Sequence, residues 1–237
     1  MKLLENENEC TIYVTSTEVD FHIQEFIPYK NEAGIFYYRL PGEYYGHVTG
    51  IVRKEFLTVT GDGSSTVSEL LKKDTRSLLQ MESLHNVYGD YLNTVLPAGN
   101  EKLLVPYGNH ARGAKFLDDS HLADEQLVSV VNNICKDIEE FYFGRLDIKY
   151  DNWEEFKQGK KFSVIEVNGA GAEPTHIYDP RHSIFYAWKE IVRHWFILNK
   201  ISRMNHKRGV KYLTIKEGLK MIRENKEHSR KLDSIPE

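Results

Sequence analysis

The chain has 237 residues, 41% of them hydrophobic and 28% charged, with 31 Lys and Arg against 35 Asp and Glu and a formal net charge of −4. That length allows one large domain or two small ones with a real core, and the composition is that of an ordinary soluble globular protein. The acidic balance gives no reason to expect a nucleic-acid partner, no apolar run approaches a membrane span, and two cysteines, Cys10 and Cys135, are too few for a disulfide framework, so a reducing cytoplasm is the simpler expectation.

Residues 1–10 read as a polar, acidic, solvated lead-in without a secretory apolar region. Thr11–Thr15 is a short strand candidate. His22–Ile27 is another, ended by Pro28. Ala33–Leu40, rich in Phe and Tyr, is a third, stopped by Pro41-Gly42. Val48–Val59 alternates as one long strand and ends in Gly61-Asp62-Gly63, a strong turn. Arg39 stands at the Pro-Gly turn, where it can face a phosphate or carboxylate or cap the sheet edge.

Gly61–Thr66 looks superficially like a phosphate loop but lacks the Lys of a Walker motif. The spacing instead predicts a turn whose Ser65 or Thr66 caps a helix over Val67–Lys73, with Glu69 completing a capping box. A further helix is predicted from Thr75 to Val87. Gly108–Asp118 packs Asn109, His110, Arg112 and Lys115 around two glycines. Glycines permit close backbone approach and the cations favour an anion; an ordinary basic surface loop is the alternative. Asp124–Phe141 carries Leu127, Val128, Val131, Ile134 and Ile138 at helical spacing.

Phe143–Tyr150 and Phe162–Asn168 read as short buried strands. Side chains alternate along a strand, so Arg145 and Asp147 share a face, as do Glu166 and Asn168. The linker Asp151–Lys161 is charged, contains Gly159, and holds a helical turn at Trp153–Phe156. A hairpin-like return would set the two polar faces side by side. Two carboxylates and an amide oxygen are the hard-oxygen ligands Mg²⁺ takes, and an adjacent Arg suits charge on a transferred phosphoryl group. Two solvated strand faces are the alternative. Small residues from Gly169 to Ala172 leave space for a substrate, with Glu173, His176, Tyr178 and Asp179 as candidates to recognise it. Ser183–Ile201 is a helix with Trp188, Ile191, Val192, Trp195 and Phe196 as its apolar content. Ser202–Gly209 reads as a basic loop. Thr214–Leu232 reads as a terminal amphipathic helix with Leu219 and Ile222 facing inward. No internal repeat is present.

Gly144-Arg145-Leu146-Asp147 followed by Val164-Ile165-Glu166-Val167-Asn168 resembles the carboxy-terminal half of the ATP-grasp fold, as in the D-alanine–D-alanine ligases. The run from Glu166 through Asn168, Glu173, His176 and Pro180 resembles a D-alanine–D-alanine-ligase-like subgroup. The Gly61-Asp62-Gly63 turn before Ser/Thr is similar to one in proteins of the cyanophycin-synthetase type. The resemblance implies an α+β fold, mainly antiparallel sheet with packed helices. It implies a core over residues 11–180 and a helical extension over 181–237. It makes Asp147, Glu166 and Asn168 ligands of Mg²⁺ or Mn²⁺, and Arg145 the phosphate-facing cation. Gln24, Glu25 and Ile27 would form the hinge strand that reaches the adenine, Glu32 would meet the ribose, and Arg39 would belong to the nucleotide side. Arg112 would contact a phosphate or acyl phosphate, and His110, Glu173, His176 and Tyr178 the substrates.

The function implied is ATP-dependent joining of a small-molecule carboxylate to an amine or similar nucleophile through an acyl phosphate. The family's amino-terminal subdomain, with its phosphate-holding lysines, has no counterpart before Gln24. The expectation is therefore a partial chain, poor in activity alone and completed by a partner chain. A non-catalytic remnant acting as a binding or assembly module is the alternative. A metal-dependent hydrolase is a third reading, disfavoured because no His pair lies near the carboxylates.

Overall fold

The computed structural model describes residues 3–17, 19–106, 108 and 113–233, apart from the side chains of Thr75 and Asp233. The chain divides into two compact units, one of Tyr29–Met204 and one made of Met1–Pro28 and Asn205–Glu237. Among the described residues no helix is long and apolar enough to cross a membrane.

The smaller unit holds helices α1 (Glu7–Ser16) and α8 (Ile215–Asp233). The strand expected at Thr11–Thr15 is part of α1. The Asn6 side chain accepts from the Glu9 amide at 3.0 Å, and Glu7 and Glu9 complement the positive helix start. The Thr11 and Thr15 hydroxyls donate to carbonyls one turn back (2.9 and 2.8 Å), which lets β-branched residues sit in a helix. His22–Ile27, expected as the adenine-side hinge strand, has no regular structure. The first strand starts only at Asn31 and both its edges are already paired. The α8 helix is capped by Thr214 and Glu217, whose carboxylate takes the Thr214 amide at 2.8 Å. Its Leu219 and Ile222 are 62% and 67% exposed, so they do not face inward as expected. Most of its charged residues lie on the opposite side of the helix, and pairs such as Lys220–Glu224 support it from the surface.

The larger unit is built on a five-stranded sheet in the order β5 (Lys115–Asp118), β2 (His47–Glu55), β1 (Asn31–Tyr38), β6 (Phe143–Tyr150) and β7 (Phe162–Asn168). Every neighbouring pair is antiparallel. The fold is thus α+β, an antiparallel sheet with packed helices. The odd residues of β1, Ala33, Ile35 and Tyr37, join Ile51, Leu146 and Ile148 in the main core. Leu127, Val131 and Cys135 of α5 (Glu125–Asp137) close that face. The Tyr37 hydroxyl donates to Asn132 Oδ1 at 2.8 Å, which supplies the polar partner a buried tyrosine needs. On the other face Phe36 and Phe143 pack against Ile201 of α7 (Ile184–Lys207).

Several boundaries moved for local reasons. The expected long strand breaks at Phe56, and β3 (Leu57–Thr60) pairs instead with β4 (Glu101–Val105) in a small second sheet. That sheet has its own core with Val67 and Leu71 of α2 (Val67–Lys72) and Leu84. The α2 cap is the expected Thr66–Glu69 capping box. The helix expected over Thr75–Val87 is two, α3 (Thr75–Leu78) and α4 (Met81–Tyr88), separated at Leu79–Gln80. The α5 helix stops at Asp137 because Ile138 is extended and Glu140 has φ 54°. A one-turn helix α6 (Trp153–Lys157) links β6 to β7. The basic run read as a loop continues α7 to Lys207, where Gly209 at φ 100° ends it, its amide donating to the His206 carbonyl and the Val210 amide to that of Asn205.

Candidate functional site

The sheet face under α7 carries the polar residues. In antiparallel ladders, residues directly opposite share a face. The β6–β7 pairing sets Arg145 opposite Asn168 and Asp147 opposite Glu166, as the alternation had suggested. Across β1, Asp147 stands opposite Gly34, which stands opposite Val52; one pair further along, Lys149, Glu32 and Lys54 share a row.

Asp147 is the centre of this arrangement and is 1% exposed. Arg145 grips it with a fork, Nε to Oδ1 and Nη2 to Oδ2, both at 2.9 Å. Lys54 Nζ lies 3.3 Å from Oδ1 and donates to Glu32 Oε1 at 2.7 Å. The Gly108 amide donates to the other Glu32 oxygen at 3.3 Å. The Asn168 amide satisfies both neighbours when its nitrogen donates to Glu166 Oε1 (3.1 Å) and its oxygen accepts from Arg145 Nη2 (3.2 Å). Burial works against charge on Asp147, but Lys54 and Arg145 outweigh it and hold the carboxyl below its ordinary range. Glu166 moves the other way, raised by burial and by Asp147 beside it.

Two glycines make the face possible. A Cβ on Gly34 would stand 2.8 Å from Val52 Cγ1 and 3.0 Å from Asp147 Oδ1. A Cβ on Gly50 would stand 2.1 Å from His176 Nδ1. His176 is 2% exposed and belongs to a buried polar group with Glu190 and His194 of α7. His194 Nδ1 lies 2.7 Å from the Glu190 carbonyl, which can only accept, so Nδ1 carries the hydrogen and Nε2 takes the Thr49 hydroxyl at 2.9 Å. The ring is fully used as a neutral group.

Burial pushes both His176 and His194 below the ordinary histidine value. A histidine depressed in the folded state binds fewer protons there than in the unfolded chain, so its contribution is present above the unfolded value of about 6.5 and lost as pH falls below it. Denaturant midpoints are therefore expected to fall between pH 7.5 and 5.5. His194→Gln should flatten that slope; an unchanged slope would remove these rings as its source.

The other expected residues are placed as follows. Arg39 donates from Nη1 to the Glu43 carbonyl at 3.2 Å and lies over the Tyr142 ring at 5.2 Å, so it secures the turn after β1. The Tyr178 hydroxyl donates to Glu173 Oε2 at 2.5 Å, and Glu173 together with burial pushes it up to about 12. Asp179 is buried, accepting from the Asp118 amide and held by Arg181. Glu25 and Gln24 are exposed and belong, with Ile27, to the smaller unit. His110 and Arg112 lie outside the described residues. Lys54 was missed. Its phase with Gly50 and Val52 was legible, but it lies between two other charged residues, Arg53 and Glu55, and nothing local marks it as buried.

Among the described residues no group of three or more His, Cys, Asp or Glu side chains is arranged for a metal. The candidate donor set differs in using an amide as its third member. Asp147 and Glu166 stand opposite each other, and Glu166 is raised by its neighbour's charge. Hard oxygens suit a divalent cation, but both Asp147 oxygens are already met by Arg145 and Lys54, so an ion held here would share the carboxylate with those two cations.

No family model matches the chain. No curated protein matches it either. Among solved structures, a bifunctional glutathione synthetase from Pasteurella multocida is similar at 15% identity and a TM-score of 0.44, over 63% of this chain and 22% of that one. The chain therefore spans about a fifth of that protein's length, and at this score the likeness is too shallow to assign chemistry.

Proposed function

We propose that this chain is part of an ATP-dependent ligase of the ATP-grasp kind, joining a carboxylate to an amine or similar nucleophile. The observation that carries the reading is the registered pair Arg145/Asn168 and Asp147/Glu166 on one sheet face, with Lys54 converging on Asp147 from two strands away. Phosphoryl transfer asks the protein for little beyond positioning and charge, which this face supplies.

In this reading a carboxylate oxygen of the first substrate attacks the γ-phosphorus and ADP leaves. The nucleophile then attacks the acyl carbon and inorganic phosphate leaves. Arg145 and Lys54 would neutralise charge on the polyphosphate. Asp147, Glu166 and the Asn168 oxygen would hold Mg²⁺ or Mn²⁺, whose chemistry would be to offset charge on the transferred group. Arg112 and His110 remain assigned to the anion and substrate side, Arg39 to the nucleotide side, and Glu32 to the ribose through the loop at Gly108. Glu173 and Tyr178 border the loop where the second substrate would enter, and His176 would act by fixing that loop on β2. A partner chain would supply any further phosphate-holding lysines.

The test is calorimetric titration of the chain with ATP, with and without Mg²⁺. Mg²⁺-dependent binding is the expected result, weak where a partner completes the cleft; micromolar affinity, about −8 kcal/mol, would mean that the cleft is largely present in this chain. Absence of heat in both conditions, with and without acyl substrate, would overturn the reading for this chain and favour a binding or assembly module.

A further inference from the structure

The α7 helix is inverted relative to an ordinary surface helix. Its buried residues are Glu190, His194 and Ile201. Its outward face carries Phe185, Trp188, Trp195 and Phe196, which are 73%, 58%, 67% and 72% exposed, with Ile184 and Val192 beside them. Positions 185, 188, 192 and 195 repeat at the spacing of one helical seam. At about 200 Å² per ring, these four place roughly 500 Å² of aromatic surface on one side of one helix. That is at the upper end of the largest apolar patch on a typical monomer.

Charge says what covers it. Within α7 lie five Lys and Arg, namely Lys189, Arg193, Lys200, Arg203 and Lys207, against a single acid, Glu190, which is buried. The chain as a whole is acidic, so everything outside α7 carries an excess of eight acids. The acids concentrate in residues 3–28, which hold Glu5, Glu7, Glu9, Glu18, Asp20 and Glu25 and no Lys or Arg. That segment also exposes Ile12, Val14 and Ile23. On an ideal wheel Lys189, Arg193 and Lys200 line one edge of the aromatic stripe, the arrangement of a protein rim rather than of a helix lying flat in a headgroup layer, which is cationic along both edges.

We propose that the aromatic face of α7 is covered in solution by a second copy of this chain, which presents its acidic segment 3–28 to the cationic edge. Two such faces in a symmetric pair reach about 1,000 Å², the lower bound of a specific interface. The interface is therefore concentration-dependent and weakened by salt.

Sedimentation equilibrium of the full chain across a dilution series, at low and high salt, tests this. A dimer that dissociates on dilution, and dissociates more readily in salt, is expected. Trp188→Glu with Trp195→Glu should leave the circular dichroism unchanged and the chain monomeric, because both rings are already exposed. Glu5→Gln, Glu7→Gln and Glu9→Gln together should weaken the dimer several-fold and reduce its salt dependence. A chain monomeric at every concentration would overturn the proposal, whether or not it then sediments with phosphatidylglycerol vesicles, which would point to a membrane surface instead. A dimer that survives the double tryptophan variant would overturn it equally.

Discussion

Asp147→Ala is expected to cost about 3–5 kcal/mol of folding stability, the range for removing one partner of a buried ion pair. The carboxylate is 1% exposed and holds two cations, Arg145 through a two-bond fork and Lys54 at 3.3 Å. Lys54 is 8% exposed and would be left with Glu32 alone, while Arg145 would lose both of its charge-assisted bonds to Asp147. Against a typical total of 5–15 kcal/mol this is a large fraction, readable as a lower guanidinium midpoint at unchanged slope. Glu166→Gln should behave oppositely. Glu166 keeps part of its side chain in solvent, and its carboxyl is raised by partial burial and by Asp147, so removing its charge relieves Asp147 and leaves stability unchanged or slightly higher. Both variants should lose Mg²⁺-dependent ATP binding if the two carboxylates share an ion. Equal stability losses in the two variants would show that Asp147 is not the buried anchor described here. Intact Mg²⁺-dependent binding in both would remove the metal assignment while leaving the structural one standing.

The second large effect is expected at Gly50→Ala. The new Cβ would lie 2.1 Å from His176 Nδ1 and 2.5 Å from Cε1, well inside contact. Neither side yields easily. Gly50 lies mid-strand opposite Phe36, and His176 is 2% exposed beneath Glu190 and His194. Overpacking of this kind costs about 1–3 kcal/mol and occasionally more. His176→Ala alone should also destabilise, by opening a cavity. The double variant Gly50→Ala/His176→Ala should be more stable than the sum of the two single losses, because the methyl then occupies space the ring vacated. Strict additivity in thermal melts would mean that the ring and the glycine do not meet.

Much of the large unit was legible because its signals are local. The strand over Phe143–Tyr150 was marked by Leu146, Ile148 and Tyr150 alternating with charged residues, that over Phe162–Asn168 by Val164, Ile165 and Val167, and the linker between them by its charge and Gly159. The Thr66–Glu69 cap followed from spacing alone. The failures have separate causes. Thr11–Thr15 has strand composition, but Asn6 and two acids start a helix there. Leu219 and Ile222 have the period of a buried face, yet they are exposed, because periodicity does not supply the surface that would cover that face. The Val48–Val59 run looks continuous, but one residue, Phe56, passes the chain from one sheet to another.

By itself the sequence determined the hairpin of β6 and β7 and the side of each strand on which Arg145, Asp147, Glu166 and Asn168 stand. Those follow from alternation, an elementary property of extended chains. Tertiary structure alone decided that Lys54, 93 residues before Asp147, is its partner, since that contact depends on β1 standing between β2 and β6. It also decided that His176 supports the fold beneath α7, and that α7 turns its rings outward. Pairing order and helix docking are set by which faces bury together, and no window of neighbouring residues contains that information.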